Sequence, residues 1–448
     1  PAGGVATRES GSASSGRGLL VVVLVTALAL AVAWLAIRPE LPVPGAVAIL
    51  PVQPSVAIGE FVNVSGNSGL DLLGREVASS LARNLKPFED IEVQTGTQPS
   101  GRSADAGSYL VTGAINPSPE GYEVTALLTD AGGATVWTGT YMGSLQAITA
   151  ADAAGVARSI AREIVPYRGP LHLAGRQWLG KQQRPLPEVS DYVCMLTYRL
   201  ARETGNSSDI ADSLTCHERL LRDNPDKAFA LSAVGWLETR AIVSRALPGS
   251  GLYEALEEPR KRIERAAALR PDSSLIREHL GSVLNWQTQF DGASRELVAS
   301  LELNPLNTDA RALYAILLAR MQNWTLGKEQ ANLAIADTPY PAPWYYFPLA
   351  LYDFRDGRMD EAIDAGLRSA AFGGGEVGLA IALAAAGLSD RQDIVAELRP
   401  RLMGLENLRR AGIIPWLSGQ ITDPATLEQV SEGLGRAGVP AGALTAAF

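Results

Sequence analysis

The apolar positions divide the chain into three stretches with different periods. From Leu19 to Ile37 there is no period, because the run LLVVVLVTALALAVAWLAI carries no charge. As a helix these residues would span ~28 Å, close to the hydrocarbon thickness of a bilayer. Arg17 and Arg38 bracket the run and Trp34 stands near its distal end, where an indole suits the interface. The pattern predicts an uncleaved transmembrane helix over 19–37. Ala31-Val32-Ala33 also offers a signal-peptide cleavage pattern, although the run is long for a signal core. Either reading exports the remainder. Residues 1–18, rich in Gly, Ser and Ala, read as a flexible linker, and Pro1 in place of Met suggests a longer parent chain.

Between about 45 and 168 the period alternates between strand and helix. Ala46–Leu50 is a short apolar run of strand type. A helix to Leu85 opens at a capping-box-like Ser68 with Asp71 and keeps Leu72, Leu73, Val77, Leu81 and Leu85 near one face. Ile91–Val93 and Tyr109–Ile115 read as further strands. Tyr122, Val124, Ala126 and Leu128 alternate at period two, Asp130-Ala-Gly-Gly133 supplies a turn, and Thr135–Tyr141 returns as a hairpin partner. A helix from about Leu145 to Val165 closes the domain on Ile148, Val156, Ile160 and Ile164.

Beyond 188 the period is helical and the sequence repeats. Prolines at 225, 271, 305 and 339 each follow Ala/Leu-rich helical stretches, spaced 46, 34 and 34 residues apart. The 46 is one period with an insertion, which Ala246–Gly251 places between the two helices of its repeat. Register on Pro305 pairs Gly281 with Ala293, small residues that let two helices approach closely. Asp356–Ala362 and Gly378–Leu402 continue the pattern, making five to six repeats.

Net charge is −9 with no basic stripe, which argues against nucleic acid as a partner. His172, His217 and His279 are the only histidines and show no metal-ligand spacing. No nucleophile elbow, P-loop or dinucleotide fingerprint appears, and Gly373–Gly375 lacks the Lys and Ser/Thr of a phosphate cradle. The expectation is no catalytic residue, no cofactor, no metal and no enzyme within these residues. Cys194 and Cys216 are the only cysteines and fall on the two helices of the first repeat. Outside a reducing compartment they would oxidise to a disulfide; the alternative is two small buried residues.

The 34-residue period resembles tetratricopeptide repeats, which stack into a superhelix whose first helices line a groove. That resemblance implies a protein or peptide partner and places Trp236, Glu278, Asn285, Tyr346 and Asp353 on the groove. The aromatic run Trp344–Phe347 reads either as peptide contact or as packing between repeats. Upstream, Ala48-Ile-Leu-Pro51, Leu110–Gly113, Val124–Asp130 and Val136-Trp137 resemble blocks of TolB-like or FlgO-like domains. The expected fold class is therefore α+β: transmembrane helix 19–37, TolB-like α/β domain 38–168, tetratricopeptide-like superhelix 188–420, and a tail or capping helix 421–448. That order resembles CadC-like one-span bacterial regulators, whose cytoplasmic output domain (a winged helix or a cyclase) would lie upstream. The resemblance implies an exported sensor or interaction region, anchored in the inner membrane with its bulk in the periplasm, and a homo-oligomer is left open. The alternative is a cell-envelope scaffold or assembly protein without signalling output.

Overall fold

Ser55–Asn63, with Val56, Ala57 and Phe61 buried, is the first strand (β1) of a five-stranded sheet. The computed structural model describes residues 50–94, 107–144, 149–246, 251–373 and 375–448. The strand expected at Ala46–Leu50 therefore lies mostly outside the described residues, and Leu50 itself is not in a strand. Pro51 and Pro54 cannot donate to a ladder, so pairing begins after them. A short apolar run without alternation does not by itself distinguish these choices.

β1 pairs in parallel with β2 (Glu92–Gln94) and β3 (Ser108–Ser118), and β3 continues antiparallel into β4 (Gly121–Asp130) and β5 (Thr135–Ser144). The sheet order is β2-β1-β3-β4-β5. In the β4–β5 turn the Asp130 carboxylate accepts the N–H groups of Gly132 and Ala134, and Gly133 takes φ +80°. Helices α1 (Asp71–Leu85) and α2 (Ala150–Ile164) cover one sheet face, burying Leu73, Val77, Leu81, Val156, Ile160 and Ile164 against Val111, Val124 and Leu128. Leu72 leaves the expected stripe and is exposed. Asn67, not Ser68, caps the entry to α1, through a 3-10 turn at Ser68–Leu70. Thr149 and Asp152 form the capping box of α2; Ile148 lies outside the described residues.

After a short helix α3 (Leu173–Gly180), helices pair as hairpins. The first pair is α4 (Asp191–Thr204) with α5 (Ser207–Asp223), followed by α6 (Ala228–Val243) with α8 (Glu257–Leu269). The four-residue α7 (Leu252–Ala255) sits in the insertion between α6 and α8. Next come α9 (Ser274–Trp286) with α10 (Phe290–Leu303), α11 (Thr308–Arg320) with α12 (Trp324–Ala336), and α13 (Tyr346–Arg355) with α14 (Met359–Ser369). The last pair is α15 (Glu376–Leu388) with α16 (Gln392–Met403), capped by α17 (Glu406–Ala411), α18 (Ile413–Leu417), α19 (Pro424–Arg436) and α20 (Ala441–Thr445). Pro225, Pro271 and Pro305 directly follow the C-caps of α5, α8 and α10, where the missing N–H and fixed φ stop a helix. The curved array returns on itself. Gly373 N–H donates to Thr204 O at 2.7 Å, and a Cβ at Gly205 would stand 2.4 Å from Gly373 O.

The expected one-span membrane architecture is not upheld. Among the described residues no helix is long and apolar enough to cross a membrane. The longest, α5, has 17 residues and carries charge on its outer face. The most apolar, α15, has 13, or ~20 Å, and is buried among other helices. Residues 19–37, where the span was expected, and the linker at 1–18 lie outside the described residues. The fold class is corrected to α+β, a sheet domain joined to a helical array, and the membrane partner, inner-membrane anchoring and periplasmic location are withdrawn.

Two measurements test the hairpin packing. A Cβ on Gly281 would stand 2.7 Å from the Leu297 side chain and 3.2 Å from Ala293 O, so Gly281→Leu should cost ~1–3 kcal/mol in urea denaturation. Cys194 and Cys216 are joined across α4 and α5, with Cα atoms 5.5 Å apart. Reducing that bond should lower stability by ~3 kcal/mol in the chain-entropy model for a loop of this length, read as a drop in the denaturation midpoint on adding reductant.

Candidate functional site: an aromatic cavity inside the array

The first helices of successive hairpins converge on a cavity of about 140 Å³. Arg202 reaches it from α4, Trp236 and Arg240 from α6, Asn285 and Trp286 from α9, and Leu313 and Ile316 from α11. Trp344, Phe347, Phe372, Glu376 and Trp416 complete the wall. Four indoles and two phenyl rings thus face a space large enough for a side chain or a chain terminus of a partner.

Most of the polar groups in and behind this wall are matched. Arg202, 4% exposed, stands 2.6 Å from Glu278, 3.2 Å from Asp309 and 2.8 Å from the Tyr198 hydroxyl. Its guanidinium lies 4.8 Å from the Trp236 ring centroid and 5.8 Å from that of Trp344. Burial pulls Arg202 down, but the Asp309 and Glu278 carboxylates hold it well above its usual range, so it stays charged. Burial raises Glu278, with Arg202 pulling the other way. Arg320 donates to Asn285 O and Oδ1, both at 2.8 Å, and stacks over Trp286 and Phe290. Burial pushes its guanidinium down to about 10, still a cation at neutral pH.

Among the described residues several buried polar atoms in and behind this wall make no hydrogen bond, Arg202 Nε, Arg320 Nε and Glu278 Oε1 among them. The Trp236 indole N–H has no hydrogen-bond partner although the residue is only 7% exposed. The Arg240 guanidinium has neither a hydrogen bond nor an ion pair, and only the Phe372 ring, at 5.7 Å, packs against it. Burial depresses the Arg240 pKa; Glu376 partly offsets that and Arg202 adds to it.

The groove expected from the repeat pattern separates on inspection. Trp236 and Asn285 line the cavity. Glu278 is fully buried behind Arg202. Tyr346 stacks against Arg368 at 5.2 Å, and Asp353 pairs with Arg358 and Lys328 at the end of its helix. Neither lines the cavity. Sequence reasoning passed over Arg202, Arg240 and Trp286, although a signal existed. Arg202, Arg240, Trp286 and Arg320 each stand 15 residues after a proline, at 187, 225, 271 and 305.

A second cleft, of about 130 Å³, separates the array from the sheet domain. Its charges are already satisfied, Arg199 by Asp90 at 2.7 Å and Asp309 at 3.7 Å, and Arg162 by Asp337 at 3.5 Å. It is a domain junction.

Comparison with known proteins adds little to this geometry. No family model matches the chain, and no curated protein matches it. The solved structure described as the functional characterization of Pseudomonas aeruginosa pilF is 14% identical over 51% of this chain and 97% of its own, with a TM-score of 0.35. A human IFIT1 dimer with m7Gppp-AAAA is 13% identical over 67% and 74%, with a TM-score of 0.42. Likenesses this weak carry no argument here. The expected TolB-like and CadC-like membership is therefore not upheld. With no membrane-spanning helix among the described residues, the reading of an exported sensor of a one-span signalling protein is corrected; the helical array fits the interaction or scaffold alternative better.

All three histidines are buried: His172, His217 and His279. His217 lies against Tyr198 and Phe229, with its Nδ1 2.8 Å from Ser213 O, and burial depresses its pKa from 6.5 to about 4. The unfolded chain then binds a proton more readily than the folded one between those values. His217's contribution to stability is full above pH 6.5 and falls away as pH drops toward 4, by roughly 3 kcal/mol across the window. His217→Gln should flatten the pH dependence of the melting temperature between pH 6.5 and 4 by about one proton; an unchanged slope would contradict this assignment.

Proposed function

We propose that the protein is an interaction scaffold that binds a partner protein by taking a short peptide segment into the aromatic cavity. The observation that carries this is the convergence of the first helices of successive hairpins on one space walled by Trp236, Trp286, Trp344, Phe347, Phe372 and Trp416. Aromatic and Arg side chains bury large area at low entropic cost and dominate the energetics of protein recognition. Indoles, guanidinium groups and amides in this arrangement support recognition rather than turnover, and no reaction is assigned.

The array also suits this role mechanically. The turn after α4 meets the turn after α14 at Gly205 and Gly373, so the cavity wall is preformed and a bound segment pays little for ordering it. A photo-crosslinking residue at Phe347, inside the cavity, should capture a partner in cells of the source organism. The same residue at Leu303, on the outer surface, should not. Equal capture at both positions would sink the proposal.

A further inference from the structure

We infer that the sheet domain pairs with a second copy of this chain through its open edge, β5 of one copy lying antiparallel to β5 of the other. Among the described residues β5 pairs with β4 alone and ends the sheet. A strand in that position presents a row of N–H and C=O groups along its outer side, a template for another strand. Chains that stay single blunt such edges with charge, proline, a very short strand or a cover. β2, at the opposite edge, follows that rule, with three residues and Glu92 among them. β5 does not. Its ten residues, Thr135–Ser144, include no charge and no proline, and they are rich in the β-branched and aromatic types that suit a strand. The irregularity in its ladder lies at the turn end, opposite Leu128 and Thr129, so Trp137 to Gly143 runs as regular strand.

The side chains favour a second copy as the occupant. Trp137 and Tyr141 pack on the core beneath the helices, while Val136, Thr138, Thr140 and Met142 stand exposed on the other face. A two-fold axis at Gly139 sets Thr138 of each copy opposite Thr140 of the other, and Trp137 opposite Tyr141. Thr–Thr and aromatic cross-strand pairs stabilise a sheet, whereas like charges directly opposite would oppose it. A two-fold contact needs a self-complementary patch, and an uncharged strand with this near-palindromic order supplies one. Each copy carries a net charge of −9, so two copies repel in most approaches; the uncharged edge is where that repulsion is weakest. The contact is one strand deep and belongs with transient interfaces, so the dimer should form at concentrations on the order of tens of micromolar.

Sedimentation of the full chain over a concentration series tests this, with backbone hydrogen exchange read on the same samples. Wild type should pass from monomer to dimer as concentration rises, and the β5 amides should gain protection in step. Thr138 and Thr140 are exposed, so replacing both should leave the monomer's melting temperature in place. T138K/T140K should weaken the dimer at least tenfold by setting like charges across the axis, and T138E/T140E should do the same. An equimolar mixture of the two variants should restore association to at least the wild-type level, because opposite charges then face each other. A chain that stays monomeric throughout the series would overturn the inference; protected β5 amides in that monomer would identify a cover from within the chain instead of a second copy. A dimer that both variants keep, or that their mixture fails to restore, would overturn it too, by showing that the copies meet elsewhere.

Discussion

A chain of buried and half-buried charges holds the molecule in register. Asp90, in the sheet domain, meets Arg199 of α4; Arg199 approaches Asp309 of α11; Asp309 meets Arg202, and Arg202 meets Glu278 of α9. Burial raises the Asp90 carboxyl, yet the Arg199 guanidinium outweighs it and holds the group below its usual range. A buried charge left alone costs several kcal/mol, so each member requires its neighbour. Three non-adjacent helices and the sheet domain are thereby tied at one point.

That constraint explains why the array closes as it does. Arg202 sets the spacing of α4, α9 and α11 from within, and Ser273, at the start of α9, donates to Glu89 beside Asp90. Leu306, just before α11, packs against the core of the sheet domain. The sheet domain thus acts as a wedge against the first three hairpins. At the far end, close glycine contacts do the same work without charge: a Cβ on Gly387 would meet Gly433 O at 2.1 Å, and one on Gly366 would meet Gly378 O at 2.6 Å. Such contacts accept no side chain larger than hydrogen without moving a helix.

The cavity is what remains when both ends have been pinned. The polar groups in and behind its wall divide into those that serve the fold, such as Arg202 and, behind it, Arg320, and those that make no hydrogen bond, such as Arg240 and the Trp236 indole. Residues of the first kind are poor places to look for function, however charged they are. Glu278 shows this: repeat register places it on the groove, and the structure shows it committed to Arg202 and Asn307.

Local pattern determined a good deal of this protein. Strict alternation from Tyr122 to Leu128 specified β4 and its buried face, Asp130 to Gly133 specified the turn, and proline phase specified where second helices end. Those features depend on neighbours a few residues away, so the chain reports them directly. The strand at 55–63 was not read from the pattern, and the apolar run at 46–49 lies outside the described residues. A long apolar run at 19–37 supports a membrane expectation, and nothing among the described residues carries it further. The cavity belongs to tertiary structure alone. Residues 15 positions after four prolines form a readable series, but which of those cations would find a carboxylate depends on helices up to a hundred residues apart, and that distance is closed only by folding.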